Sequence, residues 1–141
     1  MRFIRLRRER AVVDAGDPPL VLVADDDELI QRLLSRALER KGYRVHVCGD
    51  GNEALAVATE DPPAVAVLDW MMPGLQGPDV CAYLKGAPAT SKVRVILLTS
   101  RGVDAEIESA FERGADDYMT KPFNVDELVR LVERQIDMTA D

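Results

Sequence analysis

The stretch LVLVADD at residues 20–26 decides the fold, because an apolar run of five residues ends abruptly in two carboxylates. AVAVLD at residues 64–69 repeats this arrangement, with Asp69 after the apolar run. Short runs rich in β-branched residues are typical of strands, and strands that are apolar throughout are typical of parallel sheets covered on both faces. The two segments therefore predict two central parallel strands, each followed by acid at its carboxyl end.

Three further segments complete the predicted sheet: YRVHV (43–47), VRVILL (93–98) and DYMT (117–120). Amphipathic helical patterns separate all these runs, and strict alternation predicts an α/β fold with right-handed crossovers and helices on both faces. YRVHV alternates apolar and polar residues and DYMT is short and polar, so both suit sheet edges. We therefore expect a flavodoxin-like, doubly wound sheet of five parallel strands in the order 2-1-3-4-5, with five helices.

The helices carry their own signals in the sequence. The first has six apolar residues at helical spacing, which places them on one face: Leu29, Ile30, Leu33, Leu34, Ala37 and Leu38. Asp50 followed by Glu53, and Asn124 followed by Glu127, each predict a side-chain N-cap. These local signals agree with the helices that the alternation requires.

Composition divides the chain into three parts. Five arginines fall in the first ten residues, and Pro18 and Pro19 close this block. We expect a basic extension over residues 1–19, one domain over 20–138 and a short tail over 139–141. The extension is either a solvated segment or a contact for an anionic partner, and blocks of like charge are usually solvated.

Charge and hydropathy exclude several classes of function. A net charge of -7 argues against direct binding of nucleic acid by this chain, since phosphate-binding proteins need a basic face. No segment has the roughly 20 apolar residues of a membrane span or the pattern of a secretory signal, so we expect a cytoplasmic protein without membrane insertion. Cys48 and Cys81 lack the spacing of a zinc site or a disulfide framework.

Polar residues follow four of the predicted strands: Asp25 and Asp26, Asp69, Thr99 and Lys121. Open parallel sheets bind ligands beyond the carboxyl ends of their strands, where the strand order reverses. Carboxylates brought together there repel one another, and a divalent cation removes the conflict. The all-oxygen set favours Mg²⁺. Capping of the next helix remains an alternative role for either of the first two carboxylates.

The same residues suggest a chemistry. A carboxylate beside a metal, with a lysine opposite, can attack phosphorus and form an acyl phosphate, which makes Asp69 a candidate nucleophile. Mg²⁺ and Lys121 would neutralise charge on the incoming phosphoryl group, and Thr99 would donate a hydrogen bond to it. Taken singly, Thr99 could instead cap a helix and Lys121 could be a surface lysine.

Four motifs in order, VLVADDD, VLDWMMPG, VILLTSRG and GADDYMTKPF, resemble the receiver domains of two-component response regulators. The resemblance spans about Leu20 to Met138. It implies that Asp69 is the phosphoacceptor, supplied by a phosphohistidine on a sensor histidine kinase or phosphotransfer protein. Such a domain catalyses only its own phosphorylation and dephosphorylation, so it is a signalling protein and not an enzyme acting on other substrates.

The resemblance also implies residue roles at the site. Asp26, Asp69 and the main-chain carbonyl of Met71 would ligate Mg²⁺ directly, and Asp25 would act through water. Thr99 would bind the phosphoryl group, Lys121 would pair with it, and Tyr118 would change rotamer with it. Lys121 and Pro122 would be joined by a cis peptide bond.

Phosphorylation would then change the surface of the fourth helix, fifth strand and fifth helix, where homodimers or effectors bind in this family. Another class of aspartyl-phosphate phosphatase or phosphotransferase is an alternative. Those resembling haloacid dehalogenases carry a second Asp two residues after the nucleophile, where this chain has Met71. The sequence specifies neither the kinase nor the output.

Overall fold

The structure, a computed structural model, describes residues 17–100 and 104–139, which alternate strictly between strand and helix. The strands are β1 (Leu20–Ala24), β2 (Arg44–Cys48), β3 (Val65–Asp69), β4 (Arg94–Thr99) and β5 (Asp117–Thr120). The helices are α1 (Glu28–Arg40), α2 (Gly51–Glu60), α3 (Gly77–Gly86), α4 (Asp104–Glu112) and α5 (Val125–Met138).

All neighbouring strands are parallel, in the order β2-β1-β3-β4-β5, which confirms the predicted 2-1-3-4-5 topology. Three strands are displaced by one residue from their predicted bounds. Asp69 and Thr99 are consequently the last residues of β3 and β4, where they pair with Leu98 and Thr120, rather than the first residues after them. The backbone of both residues is therefore held by the sheet itself.

Side chains from the central strands alternate between two apolar clusters, one on each face of the sheet. One face packs against α2, α3 and α4 and includes Leu68 and Leu97. The other packs against α1 and α5 and includes Val67 and Ile96. Because helices cover both faces, the central strands are buried and their carboxyl ends are the natural place for a ligand.

The predicted N-caps of α2 and α5 are confirmed, since Asp50 accepts from the N–H of Glu53 at 2.7 Å and Asn124 accepts from that of Glu127 at 3.1 Å. At α1 the cap is Asp27, whose carboxylate accepts from the N–H of Leu29 at 2.9 Å. The alternative capping role for Asp25 or Asp26 is therefore wrong.

The apolar stripe of α1 is only partly buried. Leu34 and Leu38 pack into the core, whereas Leu29 and Leu33 are 57% and 46% exposed. A stripe of six residues covers a wider arc than the contact of α1 with the sheet and α5, so its outer edge remains at the surface.

Other expectations concern the rest of the described chain. Cys48 and Cys81 are buried free thiols, and burial raises their pKa to about 12 and about 11, so both stay protonated at neutral pH. Within residues 17–100 and 104–139, no helix combines the length and the apolarity that crossing a bilayer requires. The predicted basic extension falls mostly on residues 1–16, outside the described residues, and the domain bounds stay a prediction.

Candidate functional site

Three carboxylates converge at the carboxyl ends of β1 and β3. Asp25 and Asp26 directly follow β1 and Asp69 ends β3, and these strands are hydrogen-bonded neighbours. One oxygen from each of the three side chains lies within 4.8 Å of the others. Asp25 and Asp69 are buried and Asp26 is exposed, so the cluster opens to solvent on one side. The structure therefore brings these two distant segments of the sequence together, as expected.

Lys121 places a positive charge in this acidic pocket. It follows β5, and its Nζ lies 2.8 Å from an oxygen of Asp25 and 3.2 Å from an oxygen of Asp69. The peptide bond from Lys121 to Pro122 is cis, as the family resemblance implies. A single ammonium therefore bridges two of the three carboxylates.

The ammonium of Lys121 does not neutralise all the negative charge of the pocket, and the direction of the pKa shifts agrees with this. Burial raises the pKa of Asp69, the charge of Asp25 raises it further, and Lys121 opposes these effects only in part. For Lys121, burial lowers the pKa, but the hydrogen bond and charge of Asp25 and the charge of Asp69 outweigh it, so its pKa is raised. The pocket keeps an excess of negative charge.

The donor set fits Mg²⁺. All the converging side-chain atoms are oxygens, and a hard divalent cation that retains several waters needs only one or two carboxylates from the protein. Asp26 and Asp69 offer these at the carboxyl ends of the neighbouring strands β1 and β3. Burial and the charge of Asp25 raise the pKa of Asp69, and a cation would offset this negative charge.

The expected phosphoryl-binding and switch residues lie on the two strands beyond β3, with Thr99 at the end of β4 and Tyr118 within β5. Thr99, buried at the end of β4, lines a cleft of about 220 Å³ together with Trp70 and Met71. Tyr118, in β5, is half-buried. Its ring and the ring of Phe111 in α4 pack edge-to-face, with the ring centres 5.9 Å apart. Tyr118 thus contacts the helix whose surface is expected to change.

The two methionines that follow Asp69 and Trp70 differ in exposure. Met72 packs in the core and is 7% exposed, whereas the side chain of Met71 is 63% exposed. Burial therefore does not anchor the side chain of Met71.

Two side-chain amides that hold the pocket loops were missed by the sequence reasoning. The Nε2 of Gln31, in α1, donates to the carbonyl oxygen of Asp25 at 2.6 Å. The Oδ1 of Asn52, in α2, accepts from the N–H of Leu75 at 2.8 Å. Each contact joins a helix to a loop, and no local spacing rule signals such a pair.

Replacing Asp69 with asparagine should stabilise the metal-free protein. Folding raises the pKa of Asp69. The contribution of this carboxyl group to the free energy of unfolding is therefore fully present below its ordinary pKa of 3.8 and is lost as the pH rises through the raised pKa. Asparagine does not titrate, so the melting temperature of Asp69→Asn should exceed that of the wild type increasingly across this range. Thermal melts with a chelator test this, and equal melting temperatures at pH 7 would contradict it.

A family model described as the response regulator receiver domain matches residues 21–133. The phosphate regulon transcriptional regulatory protein PhoB of Rhizobium meliloti is 36% identical over 118 residues, which are 84% of this chain and 52% of PhoB. The DNA-binding response regulator MtrA of Mycolicibacterium smegmatis is 37% identical over 121 residues, 86% of this chain and 52% of MtrA. The chain thus spans about half the length of these relatives.

Solved structures agree with this match. The receiver domain of the Francisella response regulator 1452 has a TM-score of 0.79 and 35% identity, covering 86% of this chain and 98% of that one. The chemotaxis response regulator CheY4 of Vibrio cholerae has a TM-score of 0.79 and 27% identity, covering 84% of this chain and 98% of that one.

Proposed function

This chain belongs to the response regulator receiver domains of two-component systems, and we propose that its Asp69 accepts a phosphoryl group from a phosphohistidine on a sensor histidine kinase or phosphotransfer protein. The observation that carries the proposal is the convergence of Asp25, Asp26 and Asp69 within 4.8 Å, with Lys121 bridging two of them. As a signalling domain it would act only on its own phosphorylation state.

The transfer is a displacement at phosphorus. A carboxylate oxygen of Asp69 attacks the phosphorus, a P–O bond forms and the P–N bond of the donor breaks. The electron pair of that bond stays on the imidazole nitrogen, which then takes up a proton. Lys121 stabilises the negative phosphoryl oxygens, and Thr99 donates its hydroxyl to one of them. Hydrolysis of the acyl phosphate by water resets Asp69.

Asp26, Asp69 and the main-chain carbonyl of Met71 would hold Mg²⁺, with Asp25 acting through water. When bound, the ion supplies positive charge that offsets both the carboxylates and the incoming phosphoryl group. Asp25 also keeps its ion pair with Lys121, so it orients the ammonium that faces the phosphoryl group.

We propose that phosphorylation biases a two-state equilibrium because the phosphoryl group is bound better in one state. Thr99 would move toward it, Tyr118 would change rotamer, and the surface of α4, β5 and α5 would change. That surface would bind an effector or a second copy of the chain. The net charge of -7 supports the absence of direct nucleic-acid binding by this chain, and we propose a cytoplasmic location without membrane insertion.

Small phosphoryl donors test the proposal without knowledge of the kinase. Phosphoramidate, whose P–N bond is like that of phosphohistidine, should add one phosphoryl group to the wild-type protein in Mg²⁺ and none in a chelator, as read by intact-mass spectrometry. No added mass in Mg²⁺, where a control receiver reacts, would contradict the proposal. Repeated turnover of p-nitrophenyl phosphate would instead favour the alternative, an aspartyl-phosphate phosphatase of another class.

An apolar groove beside the pocket supports a protein as donor. It holds about 380 Å³ and is lined by Ile30 and Leu33 of α1, by Lys121 and by Pro122, Phe123 and Val125. Because Lys121 borders both the groove and Asp69, a partner that delivers a phosphohistidine to Asp69 must cover this surface. Contact with such a partner would account for the exposure of Leu33.

Leu33→Glu should therefore lower the rate of transfer from a protein donor by tenfold or more, since it buries a charge in an apolar contact. The rate with acetyl phosphate should stay that of the wild type. The measurement compares both donors, using a phosphorylated histidine phosphotransfer protein that reacts with the wild type. Tyr83→Glu is the control, since Tyr83 is also exposed but lies on α3. An equal loss with acetyl phosphate, or none with the protein donor, would contradict docking at this groove.

A further inference from the structure

The loop after Asp69 is closed at its two ends and supported in its middle. At the ends, Trp70 donates its N–H to Leu98 at 2.7 Å and Gly77 donates its N–H to the carbonyl of Trp70 at 2.9 Å. Between them, the loop meets the first turn of α2. Gly51 of α2 donates its N–H to the carbonyl of Pro73 at 3.1 Å.

Asn52, the next residue of α2, makes the second contact with the loop middle. Its Oδ1 accepts from the N–H of Leu75 at 2.8 Å, across 23 positions of the chain. The contacts with Pro73 and Leu75 straddle Gly74, which has a φ of +73°, a conformation that favours glycine. The start of α2 thus holds the loop on both sides of this turn.

The packing of the two segments leaves no space for side chains. A Cβ on Gly51 would collide with the carbonyl oxygen of Leu75, and a Cβ on Gly74 would collide with the Oδ1 of Asn52. The backbones of Gly51 and Leu75 therefore lie directly against each other, and Gly74 lies directly against the side chain of Asn52. An asparagine at this position could have solvated its side chain, yet it is directed at the loop.

We infer that Asn52 is a positioning residue for the metal site, because it holds the loop that carries the main-chain carbonyl of Met71. The inference rests on the proposed function, which makes that carbonyl a ligand of Mg²⁺. Met71 lies three residues before Gly74, and its exposed side chain provides little anchoring of its own. The orientation of its carbonyl then depends on the contacts that fix Pro73 and Leu75.

Asn52→Ala removes one neutral hydrogen bond, so the dissociation constant for Mg²⁺ should rise about two- to tenfold. Nuclear magnetic resonance measures both quantities. A Mg²⁺ titration gives the affinity for the ion, and hydrogen exchange gives the protection of the Leu75 amide. Exchange at Leu75 should accelerate in Asn52→Ala. Asn52→Asp keeps an acceptor oxygen and should restore the protection, and Gly74→Ala should be tolerated better in the Asn52→Ala background than alone.

Asp50→Ala separates positioning from helix stability, because it removes the N-cap of the same helix without touching the loop. Its Mg²⁺ affinity should remain near that of the wild type. A loss of affinity as large as in Asn52→Ala, or unchanged affinity in Asn52→Ala despite faster exchange at Leu75, would overturn the inference. Wild-type protein that binds no Mg²⁺ would contradict the proposed function itself.

Discussion

Asp69→Asn should abolish the incorporation of phosphate from acetyl phosphate and Mg²⁺. The amide of asparagine is not a nucleophile of comparable strength, and none of the neighbouring groups replaces it. Asp25 is fully buried, so a phosphoryl donor cannot reach its carboxylate. Intact-mass spectrometry should show one added phosphoryl group on the wild type and none on the variant.

Two features make this experiment decisive. Asp61→Asn is the control, because Asp61 is an exposed acid at the end of α2, away from the pocket. It should be phosphorylated like the wild type. Thermal melts of Asp69→Asn, which is expected to be more stable than the wild type without metal, check that a loss of labelling does not come from a loss of folding. A phosphoryl group on Asp69→Asn would show that another residue is the acceptor.

Lys121→Met should have the largest effect on stability. It leaves the fully buried carboxylate of Asp25 without the ammonium 2.8 Å away and removes the charge that partly lowers the pKa of Asp69. Losing hydrogen bonds to a charged group costs about 2 kcal/mol. For a domain of this size that corresponds to a fall in melting temperature of about 8 °C. Mg²⁺ should restore more stability to the variant than to the wild type, because it replaces the missing positive charge.

Lys85→Met is a closely matched control for this measurement. Its Nζ lies 2.8 Å from Asp116, and its side chain is 21% exposed, as is that of Lys121. The control should also lose stability, but the addition of Mg²⁺ should not recover the loss. Thermal melts of both variants with a chelator and with Mg²⁺ give the comparison. Equal stabilisation of both variants by Mg²⁺ would contradict the prediction, because it would mean that the excess negative charge does not lie at the pocket of the three carboxylates.

Much of the fold could be predicted because its signals are local. The apolar runs before Asp25 and Asp69 become buried parallel strands, and the acceptors at Asp50 and Asn124 become N-caps. The convergence of the acids then follows from topology, since the carboxyl ends of neighbouring parallel strands share one edge of the sheet.

The remaining features depend on tertiary contacts. Three consecutive acids begin the first loop, and which of them caps α1 depends on where the backbone turns into the helix, which selects Asp27. The exposure of Leu33 depends on how much of the apolar stripe of α1 is covered by the sheet and α5. The contact of Asn52 with Leu75 joins residues 23 apart in the sequence, so helical or strand periodicity cannot reveal it.

The most direct measurement is the identity of the residue that carries the phosphoryl group. Reduction of the phosphorylated protein with borohydride converts an aspartyl phosphate to homoserine, and peptide mass spectrometry locates the change. We expect homoserine at position 69 alone, and only when both Mg²⁺ and the phosphoryl donor were present. Homoserine at position 25 or 26, or phosphate retained on a hydroxyl or imidazole side chain, would contradict it.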